Sequence, residues 1–364
     1  RIGAVTGHGL AYAVKQHFSK KILYFMVIIV VIANTINIGA DIGVMAESLQ
    51  LITPFDFTPL AIGVTVTILI LEIFTSYRTY SKILKYLALT LLAYPLTLFI
   101  INAPWSTIIR ATFIPHIEFN LDFFFIITGV LGTTISPFMF FWQASEEVEE
   151  ERVQNLIKRG IARITGRCIK NMRFDTLMGM IFSEIGTWSI IIVAATVLHN
   201  NGITDIKTAS DAAIALEPLV QTFPNAGYMA KLLFTTGVVG LGLLGIPIMA
   251  GSAAYALAET FNFKDGLNLK FKQAHGFYGA ITIATLIGLL INYIGIDPIK
   301  ALVYSAVLNG FVSVPLIYLI AKISSDKKIM GRYQSNFLSR SFLWLTFFGM
   351  ASSALGTLYM LFIA

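Results

Sequence analysis

Charged residues and cysteine are what this sequence has least of. Only 13% of its 364 residues are charged, whereas a soluble globular domain carries about 25%. The one cysteine, Cys168, excludes an intramolecular disulfide framework and a metal site built from clustered cysteines. Apolar residues make up 56% of the chain, and the mean hydropathy is +0.76. This composition predicts a polytopic α-helical membrane protein, whose spans need roughly 20 apolar residues each.

Catalytic motifs are missing as well. The sequence contains no His-Glu-x-x-His, no nucleotide phosphate loop and no nucleophile elbow, and its five histidines are scattered through loops and span ends. We therefore predict neither an enzyme nor a bound cofactor. The net charge of +6 indicates a basic cytoplasmic face in a membrane protein, and not a nucleic-acid partner.

Hydropathy predicts nine membrane spans. They cover residues 22–46, 58–76, 82–102, 122–145, 173–198, 228–259, 276–295, 299–321 and 341–363. If the first loop is cytoplasmic and the spans alternate, all but four of the 26 basic residues lie inside, the exceptions being Arg110, Lys207, Lys231 and Lys300. The distribution predicts an integral protein of the plasma (cell inner) membrane with its N-terminal end in the cytoplasm.

A cytoplasmic loop is predicted at 146–172, after the fourth span. Its stretch ERVQNLIKRGIARITGRCIK spaces apolar residues as a helix would, with basic residues opposite. The pattern predicts an amphipathic helix on the inner membrane surface, and an ordinary linker helix is the alternative. Five glutamates open the loop, and we expect them to face water and offset the basic charge, although they could instead attract cations: Glu146, Glu147, Glu149, Glu150 and Glu151.

The fourth span is interrupted at its centre by GTTISPF, residues 132–138. Pro137 removes a backbone donor and blocks a carbonyl one turn earlier. In lipid, the freed backbone groups must be received by protein or by a water-lined cavity. Transporters use such breaks to coordinate ions with freed carbonyls, so the break predicts either an ion site or a simple proline kink.

Other spans carry polar groups within apolar runs. Asn34, Thr35, Asn37 and Asp41 lie in the first span, Glu184 lies in the fifth, and Ser305, Asn309 and Ser313 share one face of the eighth. An ionisable residue inside a membrane is a functional hypothesis by default. The alternative for each carboxylate is a structural group that is neutral or paired between helices.

The chain contains, in this order, the stretches RIGAVTGHGLAYA, IGADIGVMAE, GTTISPF, NMRFDT, VLHNNG and ALEPL. With them it resembles the NRAMP family (natural-resistance-associated macrophage proteins), which are divalent metal transporters. RIGAVTGHGLAYA resembles the loop after the family's second helix, IGADIGVMAE the third helix and GTTISPF the sixth. NMRFDT, VLHNNG and ALEPL resemble the entry, the exit and the following loop of the seventh. The resemblance covers essentially the whole chain, in order.

This resemblance implies an all-α, broken-helix, inverted-repeat transporter fold that works by alternating access. Residues 1–364 would form a single integral membrane domain holding the family's third to eleventh helices. The domain would be N-terminally incomplete, because the family's first helix carries Asp-Pro-Gly-Asn and no Asp-Pro-Gly occurs here. The implied substrates are divalent cations of the Mn/Fe or Mg class, with the lipid bilayer as surroundings and a proton as the coupling ion.

The departures from the family concern the metal site. The family's sixth helix reads Ala-Thr-x-Met-Pro-His, and here Thr133 stands for the alanine, Ser136 for the methionine and Phe138 for the histidine. A thioether favours transition metals over Mg²⁺ and Ca²⁺, and a serine oxygen does not. Val44 replaces a second acid of the third helix. These changes imply weak selectivity for soft metals and reduced proton coupling, as in the family's divergent branch.

The resemblance places the substrate site at Thr133, Thr134, Ser136, Pro137 and Asn309, with Thr133 and Ser136 as metal ligands. Thr133 would offer its carbonyl, Ser136 its hydroxyl and Asn309 a supporting amide. Asp41 and Glu184 would balance charge or carry protons. Two alternatives stay open: a sodium- or proton-coupled amino-acid transporter of similar architecture, and a non-transporting membrane scaffold, which would need no break and so favours a straight span at 122–145.

Overall fold

The computed structural model describes residues 1–75, 82, 86, 89–114, 116–154, 156–158, 161–162, 164–199, 202–204 and 206–363. Within these residues, seven helices are long and apolar enough to cross a membrane, and the apolar helices Leu89–Ile100 and His275–Ile291 are shorter. Each of these helices overlaps one predicted span, although the start of the span at 82–102 falls largely outside the described residues. The prediction of an all-α polytopic membrane protein is confirmed.

The α-helices of the described residues are numbered in chain order. The first eight are α1 (Ile2–Thr6), α2 (Leu10–His17), α3 (Lys20–Gln50), α4 (Phe57–Phe74), α5 (Ala93–Ile100), α6 (Trp105–Phe113), α7 (Leu121–Thr134) and α8 (Pro137–Val153). The remainder are α9 (Gly166–Val193), α10 (Ala209–Ala213), α11 (Glu217–Val220), α12 (Ala226–Phe261), α13 (His275–Ile291), α14 (Pro298–Ser325), α15 (Lys327–Met330) and α16 (Phe337–Ile363).

Helix α3 lies at the centre of the molecule and packs against α12, α13 and α14. Its apolar side chains are buried on most sides, as expected for a helix that is hydrophobic all round. Ile38, Ile42 and Met45 form a core with Ile246 of α12 and Phe277 of α13. Gly39 allows α3 and α13 to approach each other closely, because a Cβ there would lie 2.8 Å from the carbonyl oxygen of Gly288.

The fourth span is broken where the sequence predicts it. Helix α7 ends at Thr134 and α8 begins at Pro137, which occupies the first helical position. Proline is well suited to that position, since its fixed φ matches the helix and its missing N–H would have no helical partner. The straight, uninterrupted span that would favour a scaffold is therefore not present.

The stretch after α8 differs from the amphipathic helix predicted for it. Its described part forms a short antiparallel strand pair, in which Ile157 and Lys158 face Ala162 and Ile161, before α9 begins at Gly166. The prediction rested on helical spacing of apolar residues, but β-branched isoleucines fit strands well and glycine is a poor helix former. Arg159, Gly160 and Arg163, which belonged to that pattern, lie outside the described residues.

Candidate functional site

Serine hydroxyl groups donate hydrogen bonds to the backbone carbonyls that lose their helical partners at the break. The Ser136 hydroxyl lies 3.0 Å from the carbonyl oxygen of Gly132 and 2.7 Å from that of Thr133. Ser313, on α14, donates its hydroxyl to the carbonyl of Ile135. The last carbonyls of a helix have no partner within the helix, and in a membrane they must find one elsewhere. Here the side chains of Ser136 and Ser313 supply these partners, so the protein stabilises the break.

The backbone of α14 passes directly against α7 just before the break. A Cβ on Gly132 would lie 2.2 Å from the carbonyl oxygen of Ala306 and 2.3 Å from the amide nitrogen of Gly310. Both partners are backbone atoms, which cannot move aside as a flexible side chain would. Glycine at 132 is therefore required for this contact, which holds Ser313 close enough to reach the break.

Asn309 lies beside the break, but its amide is already paired. Its Oδ1 accepts from Asn37 Nδ2 at 2.9 Å, and its Nδ2 donates to Asn37 Oδ1 at 3.2 Å. Both side chains are buried. Asn37 was not assigned to the site from the sequence; its position within an apolar run of α3 was the available signal.

The other predicted site residues are distributed unevenly. Thr133 is exposed and its hydroxyl bonds the carbonyl of Val130 at 2.9 Å, while Thr134 is half-buried at the end of α7. Asp41 is half-buried on α3, one turn beyond Asn37, with its Oδ2 3.9 Å from where a Cβ on Gly245 would lie. Glu184 is exposed on α9, which packs mainly on α5. Asn309 thus lies on α14 one turn before Ser313, which bonds the break, whereas Glu184 lies on a different helix.

Oxygen atoms dominate the chemistry of the break. Within the described part of the chain, no three or more His, Cys, Asp or Glu side chains come together in a group that could hold a metal. The groups at hand are the carbonyls of α7, the hydroxyls of Ser136 and Ser313, and the Asn37–Asn309 amide pair. Such neutral oxygens suit hard cations better than soft ones.

Helix α8 packs on α12 along a continuous seam, which comprises Phe138, Trp142, Ser145 and Glu149 of α8 and Gly251, Ser252, Tyr255 and Glu259 of α12. The Ser252 hydroxyl donates to the carbonyl of Phe138 at 2.9 Å. A Cβ on Gly251 would lie 2.5 Å from the Trp142 ring. Farther from the break, Ser145 donates to Glu259 Oε1 at 3.1 Å. The seam thus extends along α8 from Phe138, beside the break, toward the end of the helix.

The five glutamates of α8 do not all face water, so that prediction is wrong. Glu149 and Glu151 are buried, Glu146 and Glu147 are half-buried, and only Glu150 is exposed. The reason is that α8 is covered by α12 on one side and by α1 on another. Carboxylates on those faces are therefore enclosed by protein.

A cavity of about 220 Å³ lies beside the far end of the seam. Ser145 and Glu259 line it together with ionisable side chains from three segments, among them His8, Arg152 and Asp265. Glu259 Oε2 also accepts the backbone N–H of Tyr12 at 3.0 Å. Burial, and after it the positive charge of Arg152, lower the pKa of His8. The cavity is thus polar and charged, unlike the seam next to it.

Comparisons with known proteins agree with this architecture. The model of the Nramp family, natural resistance-associated macrophage protein-like, matches residues 1–360. The chain is 29% identical over 348 residues to the divalent metal cation transporter MntH of Caldanaerobacter subterraneus subsp. tengcongensis, covering 93% of this chain and 76% of that protein. It is 23% identical over 336 residues to MntH of Klebsiella pneumoniae subsp. pneumoniae, covering 91% and 74%.

Among solved structures, the Eremococcus coleocola manganese transporter, crystallised with an aromatic bis-isothiourea compound, has the same fold. The TM-score is 0.72 over 97% of this chain and 74% of that one, with 13% sequence identity. Because the family model extends over almost the whole chain, the expectation drawn from the sequence motifs is confirmed. The chain belongs to the Nramp family, and it is a membrane transport protein and not an enzyme.

Proposed function

We propose that this protein moves divalent metal cations across the membrane by alternating access, with the break between α7 and α8 as the substrate site. The observation that carries the proposal is the break itself, where Ser136 and Ser313 hold backbone carbonyls in place at the middle of an apolar span. The relatives described as divalent metal cation transporters support the substrate class. The distribution of basic residues supports a cytoplasmic N-terminal end, which would place the end of α8 in the cytoplasm as well.

The ligands would be hard oxygens. Thr133 would offer its carbonyl, which now accepts the Ser136 hydroxyl at 2.7 Å. The Ser136 oxygen keeps lone pairs while its proton is donated, so both oxygens can face one ion after a rotation of the hydroxyl. Asn309 would contribute its amide oxygen by giving up the hydrogen bond to Asn37 and binding the ion instead. Thr134 and Pro137 would shape the site. Without a thioether, the site would distinguish Mn²⁺ from Mg²⁺ only weakly.

Charge balance would come from α3. Asp41 lies one turn from Asn37 and is half-buried against α12, so it would be the carboxylate that balances the cation or carries a proton. The exposure of Glu184 on α9 makes it the weaker candidate for the same role. With Val44 and Phe138 in place of two groups expected for proton transfer, coupling to protons would be reduced.

The test is calorimetric titration of Mn²⁺ and Mg²⁺ into the purified protein, followed by uptake into proteoliposomes. We expect comparable binding of both ions. Ser136→Met should raise the preference for Mn²⁺, and the matched variant Ser136→Ala, which removes the hydroxyl without adding sulfur, should not. Binding of neither ion by a folded sample would refute the proposal, and amino-acid uptake by that sample would replace it.

A further inference from the structure

The end of α8 is fastened to the loop between α12 and α13 by one buried carboxylate. We call residues 262–274 the closing loop. Glu149, only 5% exposed, accepts hydrogen bonds from the backbone N–H of Leu267 at 2.7 Å and of Asn268 at 3.2 Å. It also accepts from Asn268 Nδ2 at 2.7 Å and from the Tyr255 hydroxyl. Four donors thus converge on one carboxylate.

The closing loop is shaped to receive this group. Two successive backbone N–H groups point at the carboxylate, an arrangement that favours an anion. Gly266 has a φ of +137°, and a Cβ on it would lie 2.9 Å from Glu149 Oε1. Among the described residues, no basic side chain forms an ion pair with Glu149. Neutral donors alone hold the carboxylate, and a side chain at position 266 would push it away.

The loop is also tied to α13, and to α12, on which α8 packs. The Tyr278 hydroxyl of α13 donates to the carbonyl of Leu269 at 2.8 Å, and Tyr255 belongs to α12. Glu149 therefore connects α8 to a unit made of α12, α13 and the closing loop. Along α8 it is the seam residue farthest from Pro137, and its neighbour Val148 lines the same cavity as Ser145 and Glu259.

We propose that Glu149 is a releasable latch that keeps the cytoplasmic side of the break closed. While its carboxylate holds the closing loop, α8 stays against α12, and Ser252 remains sealed between them. When the carboxylate leaves the loop, the seam opens and joins the break to the cavity. Glu149 is thus a positioning residue: it acts on the path to the site and does not touch the substrate. This inference rests on the proposed alternating-access function.

Release of such a latch is physically reasonable because its bonds are polar. A hydrogen bond lost to the loop is replaced by one to water, so the net free-energy change per bond is small. The apolar and close-packed part of the seam, at Gly251 and Trp142, has no such replacement. We therefore expect the seam to open first at the Glu149 end, beside the cavity, and release of Glu149 to control this opening.

The experiment measures access to the seam directly. Cys168→Ser removes the one native thiol, and Ser252→Cys places a probe at a position that is 0% exposed. The rate of maleimide labelling is then measured in detergent without any metal ion. We expect Glu149→Gln to raise this rate by about tenfold, the factor that corresponds to about 1.4 kcal/mol, because an amide cannot accept all four bonds.

Two further variants make the test specific. Gly266→Ala disturbs the same contact from the loop side and should raise the rate in the same direction, which keeps the proposal testable if Glu149→Gln does not fold. Glu150→Gln is the matched control, since Glu150 is exposed on the same helix and accepts from Gln154 Nε2 at 3.1 Å. It should leave the rate unchanged.

Two results would overturn the latch. One is an unchanged labelling rate in folded Glu149→Gln and Gly266→Ala proteins. The other is an equal rise in Glu150→Gln, which would show a general effect of charge on α8. Because no metal is present during labelling, a protein that failed to bind Mn²⁺ or Mg²⁺ would refute the proposed function and still report on the latch.

Discussion

The two halves of the broken span are held by different chemistry. Helix α7 packs on α14 and α16 through glycine contacts and neutral hydroxyls: Thr128 is hydrogen-bonded to Ser353 at 2.6 Å and to Thr357 at 2.8 Å. Helix α8 packs on α12 through Ser252 and Gly251 near the break, but its far end is held by carboxylates, with Glu149 bound by the closing loop and Ser145 bound to Glu259. The part of the span before Pro137 is thus held by glycine contacts and hydroxyls, whereas the end of the part after Pro137 is held by carboxylates.

This difference indicates which half separates more readily from its neighbours. Gly132 is in van der Waals contact with backbone atoms of α14, and separating α7 from its neighbours would also leave the hydroxyls of Thr128, Ser353 and Thr357 without partners in lipid. The carboxylate contacts of α8 adjoin a polar cavity, where water can replace the lost donors. We therefore expect α7 to stay attached to α14 while α8 moves. Four predictions test this comparison, from the largest expected effect to the smallest.

The first prediction concerns the glycine contact of α7. Gly132→Ala places a Cβ far inside van der Waals contact with two backbone atoms of α14, and the helices must separate to accommodate it. We expect a loss of about 1–3 kcal/mol in the free energy of unfolding, with loss of transport. Thermal unfolding of the purified protein measures the first and proteoliposome uptake the second.

The control for that variant is Gly63→Ala on α4, because nothing lies within 4 Å of a Cβ there. It should leave stability the same or slightly higher, as an alanine favours a helix over a glycine. A Gly132→Ala protein as stable as the parent would show that the α7 contact is not the rigid one.

The second prediction concerns the amide pair behind the break. Asn37→Ala or Asn309→Ala alone leaves the other buried amide without its partner, which should cost about 1–3 kcal/mol of stability. The double variant should cost less than the sum of the two. Chemical denaturation of the four proteins gives the coupling energy directly, and strict additivity would contradict the reciprocal pairing.

The third prediction weakens the latch of α8 without removing the carboxylate. Tyr255→Phe deletes one of the four donors to Glu149 and should lower the free energy of unfolding by about 1 kcal/mol. In the Ser252→Cys background it should also increase maleimide labelling, by less than Glu149→Gln does. Tyr278→Phe, which loosens the loop from α13 and leaves the carboxylate's donors intact, is the comparison.

The fourth prediction applies the equivalent change to α7. Thr128→Val removes the hydroxyl shared with Ser353 and Thr357 but keeps the side-chain shape. Hydrogen bonds between membrane helices contribute about 0.6 kcal/mol on average, so the loss of stability should be of that order. Labelling at Ser252→Cys should not change, since the seam of α8 is not involved. If Thr128→Val raised the labelling rate as much as Tyr255→Phe does, the two halves of the span would not differ in the way proposed.

Much of the architecture could be predicted from the sequence. The apolar runs identified the membrane helices, and Gly132, Ser136 and Pro137 identified the break, because a proline at the centre of an apolar run interrupts the helical hydrogen bonds wherever it lies. The pairing of Asn309 with Asn37 could not be predicted, since the two residues are 272 positions apart. Nor could the burial of Glu149, whose partner Leu267 lies 118 positions away.

The sequence by itself determined what depends on composition along the chain. The free energy of transferring an apolar segment into a bilayer is a sum over its own residues, so the apolar helices and the position of the break follow from the local sequence. The tertiary structure decided which polar groups meet. A hydrogen bond requires two atoms within about 3 Å, and for Asn37, Ser313 and Glu149 the second atom comes from a distant helix or loop. The same glutamate would be a solvated surface charge if the closing loop were elsewhere.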